Sequence, residues 1–164
     1  MLLQSVVETP AGVLYLVARE HVLLAAGFSS FLDLHQRMDS SEFSLGIQDV
    51  KEIPVISDLV TDYLNGDLHA INGITVRQPG SEFSQHVWKT MRKIPAGQTW
   101  SYADLAKKIG APGAVRAVGT ACGKNLIAPI IPCHRIVKSG GAIGNYGYGV
   151  ERKTNLLRHE GALK

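Results

Sequence analysis

The feature that most constrains this chain is a change of apolar period at Gln78-Pro79-Gly80. Before it, the apolar runs are short and strand-like. Leu3–Glu8 and Val13–Val17 flank Thr9-Pro10-Ala11-Gly12, with proline second and glycine fourth as in a type I turn, and Val22–Phe28 supplies a third run. A meander of three antiparallel strands is the simplest arrangement. Residues 29–52 are polar and acidic and read as a helix with loops. Ile56, Leu59, Val60, Tyr63 and Leu64 then recur at i, i+3, i+4, i+7 and i+8. They form one face of a helix with Pro54 in its first turn, ended by Asn65-Gly66-Asp67.

Beyond the boundary the spacing is helical. Phe83, Val87, Met91 and Ile94 form an apolar stripe that Pro95-Ala96-Gly97 stops. In Ser101-Tyr102-Ala103-Asp104 a hydroxyl and a carboxylate stand three residues apart, the capping-box pattern that satisfies orphan amides at a helix start. Tyr102, Leu105, Ala106 and Ile109 continue that helix. After Gly110-Ala111-Pro112 a second helix should run to about Gly123, and a last one from about Val150 to Glu160, closed by Gly161 as a left-handed cap. The expected fold class is α/β in the α+β sense. Residues 1–79 would form a small domain with a three-stranded antiparallel sheet plus helices, and residues 80–164 a mainly helical domain with a winged-helix-like helix-turn-helix.

Charge changes at the same place. Residues 1–80 hold 4 Lys/Arg against 10 Asp/Glu, whereas residues 81–164 hold 13 against 4. A basic half suits a polyanionic partner, and a solvated surface accounts for it nearly as well. With 45% hydrophobic and 19% charged residues the chain can build a core and is too charged for a membrane protein. Met1-Leu2-Leu3-Gln4-Ser5-Val6-Val7 has no basic leader, so a cytoplasmic protein without a membrane partner is expected.

Two short helices joined by Gly110-Ala111-Pro112 have the dimensions of a DNA-reading pair, though helix pairs are common. The second helix is more informative. Ala114, Val115, Ala117 and Gly119 are small, and Arg116 is the long side chain among them. A major-groove reader carries several long polar side chains. This surface instead suits close approach in the narrower minor groove with one inserted side chain. Alanines packed on the core beside a solvated arginine would read the same way.

Two cysteines are too few for a disulfide framework, so each is judged by its neighbours. Cys122 sits among small residues and reads as a packed hydrophobe. Cys133 lies in Ile130-Ile131-Pro132-Cys133-His134-Arg135-Ile136-Val137, where an apolar run delivers a thiol followed by two basic groups. Thiolate is the reactive form, and nearby His or Arg would lower the thiol pKa. On an extended segment adjacent side chains point to opposite faces, so His134 would act through a bridging water, with a carboxylate behind it fixing the tautomer and Glu160 a candidate for that place; the adjacency alone could equally be structural. Cys122, Cys133 and His134 lack zinc-site spacing, and no metal or other cofactor is expected. A cysteine hydrolase would need the imidazole in direct reach of the sulfur.

Pro132-Cys133-His134-Arg135-Ile136 resembles the PCHR[VI] signature of the O6-alkylguanine-DNA alkyltransferases. Gly97-Gln98-Thr99-Trp100-Ser101-Tyr102, Arg116-Ala117-Val118-Gly119, Gly144-Asn145-Tyr146 and His159-Glu160-Gly161 follow the family's order, so the likeness is nearly continuous from Phe83 to Gly161. The resemblance implies single-turnover transfer of an alkyl group from O6-alkylguanine in duplex DNA to Cys133, with O4-alkylthymine left open. Its catalytic residues would be Cys133, His134, Glu160, Tyr102 and the hinge Asn125. DNA binding would fall to Arg116, Ser101, Tyr102, Ala114, Ala117 and Gly119, in the minor groove with the base flipped out. Pro132, Ile136, Tyr146 and Gly147 would form the substrate pocket of a monomer. The chain departs from the family's usual prolines at Leu126 and around Ile127-Ala128-Pro129, and has Gly147 where many members carry a serine. A non-catalytic alkylated-DNA sensor is the alternative, and sensors of that kind typically replace the acceptor cysteine that this chain keeps.

Overall fold

The computed structural model describes residues 1–164 throughout. β1 (Leu2–Thr9), β2 (Gly12–Arg19) and β3 (Val22–Gly27) form the expected antiparallel meander. Thr9 holds the first turn, its hydroxyl donating to Gly12 O at 2.7 Å and accepting from Ala11 N at 3.1 Å. The sheet is wider than three strands. β4 (Ile47–Asp49) adds parallel to β1 and β5 (Thr75–Val76) adds parallel to β3, giving the order β4-β1-β2-β3-β5. Such short edge strands carry no readable alternation, and Ile47–Asp49 is exposed along its whole length.

The stretch read as a helix with loops holds α1 (Phe31–Arg37), a single 3-10 turn at Ser40–Phe43, and then β4. Ser30 caps α1 by accepting from Asp33 N at 3.0 Å. α2 (Ile56–Leu64) buries Ile56, Val60 and Tyr63. Pro54 precedes this helix instead of occupying its first turn, because Val55 takes a positive φ of 69° at the N-cap and the helical backbone begins only after it.

α3 (Glu82–Met91) follows the boundary segment, and its Trp88 indole donates to Ala121 O at 2.8 Å, pinning it to α5 (Val115–Gly123). α4 (Tyr102–Lys108) starts on a complete capping box: Ser101 Oγ accepts from Asp104 N and Asp104 Oδ2 accepts from Ser101 N, both at 3.0 Å. Gly110, at φ 80°, turns the chain from α4 toward α5. α6 (Val150–His159) closes with Glu160 at its C-cap and Gly161 at φ 79°. One apolar core joins Leu14, Leu16 and Leu23 of the sheet to Val60, Met91, Leu105, Val118, Ile131 and Leu156. No helix is long and apolar enough to cross a membrane.

Two strand-like contacts suspend the segment after α5. Its beginning binds the end of β3, with Ala26 N donating to Leu126 O at 2.9 Å and Ala128 N donating to Ala26 O at 3.1 Å. Its end forms β7 (Ile136–Val137), which pairs in parallel with β6 (Trp100–Ser101), immediately before α4. Cys133 lies between these anchors, so the sheet and the helix pair together determine where its sulfur stands.

Candidate active site

Cys133, His134 and Arg135 form a 3-10 turn, not the extended segment expected from the apolar run. Ile131 and Pro132 supply carbonyls that accept from Cys133 N at 2.9 Å and Arg135 N at 3.0 Å, which tightens the chain into a turn. Cys133 is left half-buried, whereas His134 and Arg135 are buried. Pro132 and Ile136 are buried too and line neither of the cavities at the thiol, because the same turn directs Cys133 outward and packs its neighbours inward.

Both basic neighbours of Cys133 turn to Glu160. His134 Nε2 donates to Glu160 Oε2 at 2.8 Å; Arg135 grips both carboxylate oxygens, Nε to Oε1 at 2.8 Å and Nη2 to Oε2 at 2.9 Å. Tyr63 Oη also donates to Oε2, at 2.7 Å. The side chains of His134 and Glu160 are 0% exposed. Burial pushes the Glu160 carboxyl up, but His134 and Arg135 outweigh it and hold the group far below the usual carboxylate range. Burial pushes the His134 imidazole down, and the balance leaves it neutral at neutral pH. A neutral imidazole that donates from Nε2 keeps a lone pair on Nδ1. That Nδ1 is buried and meets no protein partner, which marks it as an available proton acceptor.

The expected acidification of Cys133 by His134 and Arg135 does not occur, since both are spent on Glu160. Burial pushes the Cys133 thiol above its ordinary value. Against this act the Asn125 amide, whose Nδ2 donates to Sγ at 3.4 Å, then the Lys153 ammonium and, more weakly, Arg37. The resting thiol is therefore protonated at neutral pH.

Two cavities converge on this sulfur. One, of about 340 Å³, is lined by Tyr102 and Gly119 from the helix pair and by Asn145, Tyr146 and Gly147. The other, of about 420 Å³, faces the sheet side, with Ser29, Asp33, Arg37, Asn125 and Tyr148 on its walls. Both fall in the size range of small-molecule pockets. Burial pushes the Tyr102 phenol up, with Cys122 and Cys133 adding to the effect, so its hydroxyl stays a donor. On α5 the side chains of Val118, Ala121 and Cys122 pack inward while Arg116 and Ala117 are exposed. Ala114, at the N-cap, and Gly119 are half-buried, as is Ser101. No three His, Cys, Asp or Glu side chains converge in a way that would hold a metal ion.

Besides the wall residues Ser29, Asp33 and Tyr148, four polar residues that hold the site together were not singled out from sequence: Lys153, Tyr63, Arg37 and Gln78. Lys153 is fully buried, its pKa lowered by burial to about 8, and its ammonium donates to Ile136 O and to Asn145 O, tying the cysteine segment to the pocket loop. A signal for it existed. Lys153, Leu156, Leu157 and Glu160 fall at i, i+3, i+4 and i+7, so a lysine and an acid stand in the apolar stripe of α6. The other three carry no local signal, because they approach from distant parts of the chain.

Comparison with known proteins agrees with this architecture. Residues 82–162 match the family model described as 6-O-methylguanine DNA methyltransferase, DNA binding domain. The methylated-DNA–protein-cysteine methyltransferase of Shigella flexneri is 37% identical, over 99% of this chain and 97% of its own length. The Mycobacterium tuberculosis OGT solved in complex with DNA superposes with a TM-score of 0.77 at 32% identity, covering 98% of this chain and 93% of that one. The O6-methylguanine-DNA methyltransferase of Pyrococcus kodakaraensis, at 24% identity and a TM-score of 0.73, shares the fold. Likeness that runs the length of both sequences, on a fold common to the solved members, places this chain in the methylated-DNA–protein-cysteine methyltransferase family.

Proposed function

We propose that this protein repairs DNA by moving an alkyl group from the O6 of guanine onto Cys133, once per molecule. The observation that carries the reading is the alignment behind the thiol: a half-buried cysteine beside a neutral histidine whose free Nδ1 is set by Glu160. The Cys133 proton passes through a water to His134 Nδ1, and the imidazolium formed is stabilised by the buried carboxylate. Sulfur attacks the alkyl carbon, the bond from that carbon to O6 breaks, and its electron pair leaves with guanine. Tyr102 donates toward the base as negative charge develops there. Asn125 donates to the sulfur and holds the cysteine turn. The product is a thioether, and no group in the site can reverse it.

On this reading the 340 Å³ cavity receives a guanine flipped out of the duplex, with Tyr146 and Gly147 along its wall. The small, exposed face of α5 lies in the minor groove, Ala114, Ala117 and Gly119 allow close approach, and Ser101 at the start of α4 meets the backbone. Arg116 fills the gap in the base stack, offsetting a flipping cost of about a few kcal/mol. Residues 80–164 act as the DNA-binding and transfer domain, residues 1–79 as a strand-rich domain packed on the same core, and the protein binds as a monomer.

The test is to mix the protein with a duplex carrying one O6-methylguanine and weigh the intact chain. A stoichiometric gain of one methyl is expected; binding without any gain would mean a sensor. Arg116→Ala should slow transfer from duplex DNA roughly tenfold or more, the loss of one to two kcal/mol of flipping support. Attack on the free base O6-methylguanine should keep its rate, and equal slowing of both substrates would remove Arg116 from the stack.

A further inference from the structure

Gln78 lies in the boundary segment, outside the residues matched by the family model, and is only 6% exposed. Its side chain reaches the loop that carries the thiol. Gln78 Oε1 accepts from Leu126 N at 2.8 Å, and Gln78 Nε2 donates to Asn125 Oδ1 at 3.0 Å. Asn125 Nδ2 in turn donates to Ile131 O at 2.9 Å and to Cys133 Sγ.

The direction of every link is forced. The Leu126 amide can only donate, so the Gln78 oxygen must face it and the Gln78 nitrogen must face Asn125. Two donors, Gln78 Nε2 and Ile127 N at 3.0 Å, then meet the same Asn125 oxygen. The Asn125 nitrogen is left to point at the sulfur. Turned over, the amide would set an oxygen against Sγ and confront donors with its own NH2 group. Ile127 N and the Ile131 carbonyl discriminate between the two faces from within the loop, and Gln78 adds the contact that comes from outside it.

We propose that Gln78 is a positioning residue for the transfer, selecting the face of the Asn125 amide that meets Cys133 so that a donor awaits the charge forming on sulfur. The chain of amides is buried, and each hydrogen bond polarises the next toward Sγ. Of the contacts that offset burial at the thiol, the Asn125 hydrogen bond is the largest. The proposal rests on Cys133 as the acceptor, but its test uses no DNA.

The experiment measures alkylation of Cys133 by iodoacetamide, located by peptide mass, from about pH 6 to 11 across the thiol range. Wild type is compared with Gln78→Leu, which removes the donor, and Gln78→Glu, which is ionised where the thiol titrates and replaces the donor by an acceptor. The other groups around the sulfur, Cys122, Lys153, Arg37, Tyr102, Tyr146 and Tyr148 together with neighbouring His134, are the same in all three. The midpoint should rise in both variants and farther in Gln78→Glu, to about tenfold slower reaction at pH 8, the equivalent of one pKa unit. The plateau at high pH should persist. A merely structural Gln78 would lower stability without moving the Gln78→Leu midpoint, whereas the charge of Gln78→Glu adds a rise of its own, so an unmoved midpoint in folded Gln78→Leu overturns the proposal. Should that variant not fold, an unmoved midpoint in Gln78→Glu does the same. A shifted midpoint in protein that never takes a methyl from DNA would keep this geometry and sink the transfer reading instead.

Discussion

Cys133→Ser protein mixed with an O6-methylguanine duplex should gain no mass, while Cys122→Ser protein gains one methyl. The two thiols line the same cavities, so proximity alone does not choose between them. Their surroundings do. Cys122 is 8% exposed, its sulfur rests 3.7 Å from Met91 Sδ, and burial together with Cys133 pushes its thiol up to about 12. No side-chain amide donates to it, and its own backbone amide offsets little of the burial. Cys133 has the Asn125 donor and the adjacent histidine with its free Nδ1, whereas the Lys153 ammonium acts on both thiols. Serine at 133 keeps the shape but offers a hydroxyl that this relay cannot ionise, and methyl uptake should fall below detection. Methyl found on residue 122 of the Cys133→Ser protein would end the assignment.

Glu160→Gln should damage both stability and transfer, and the two losses separate by pH. Removing the carboxylate leaves Arg135 and Tyr63 pointing at an amide and strands a buried guanidinium, at a cost of about 3–5 kcal/mol. Because the folded pKa of Glu160 lies well below that of an unfolded glutamate, its stabilisation is complete above about pH 4.3 and drains away as pH falls below it. Urea unfolding should therefore find wild type losing stability between neutral pH and strong acid, with that loss flattened in Glu160→Gln. Measured on folded protein in the cold, transfer should slow on the order of 10²-fold or more, the usual worth of general-base assistance. A variant with wild-type transfer would show that His134 needs no anion behind it.

The extent to which the sequence disclosed this protein varied by element. The meander, α2, the α4–α5 pair and α6 were legible because each buries one face and so carries its own period, with Gly110 and Gly161 marking the ends. β4 and β5 were not legible: two- and three-residue edge strands exist only because β1 and β3 offer unpaired backbone for them to join. At the site, Cys133 and His134 were visible through adjacency and resemblance, and so was Glu160. The ionisation state of Cys133 was misread. Sequence neighbours suggested an acidified thiol, and the 3-10 turn directs both of them away to the buried carboxylate.

What the sequence determined on its own was the inventory: a thiol, an imidazole, an acid and a small-faced helix, in an order few other chemistries need. Only the tertiary structure decided which of them touch, and it recruited Tyr63, Lys153, Arg37 and Gln78 from separate elements to do so. The physical reason is the range of the forces involved. Periodicity and caps report contacts within a few residues, whereas desolvation and hydrogen-bond direction at Cys133 depend on what folding brings from tens of residues away.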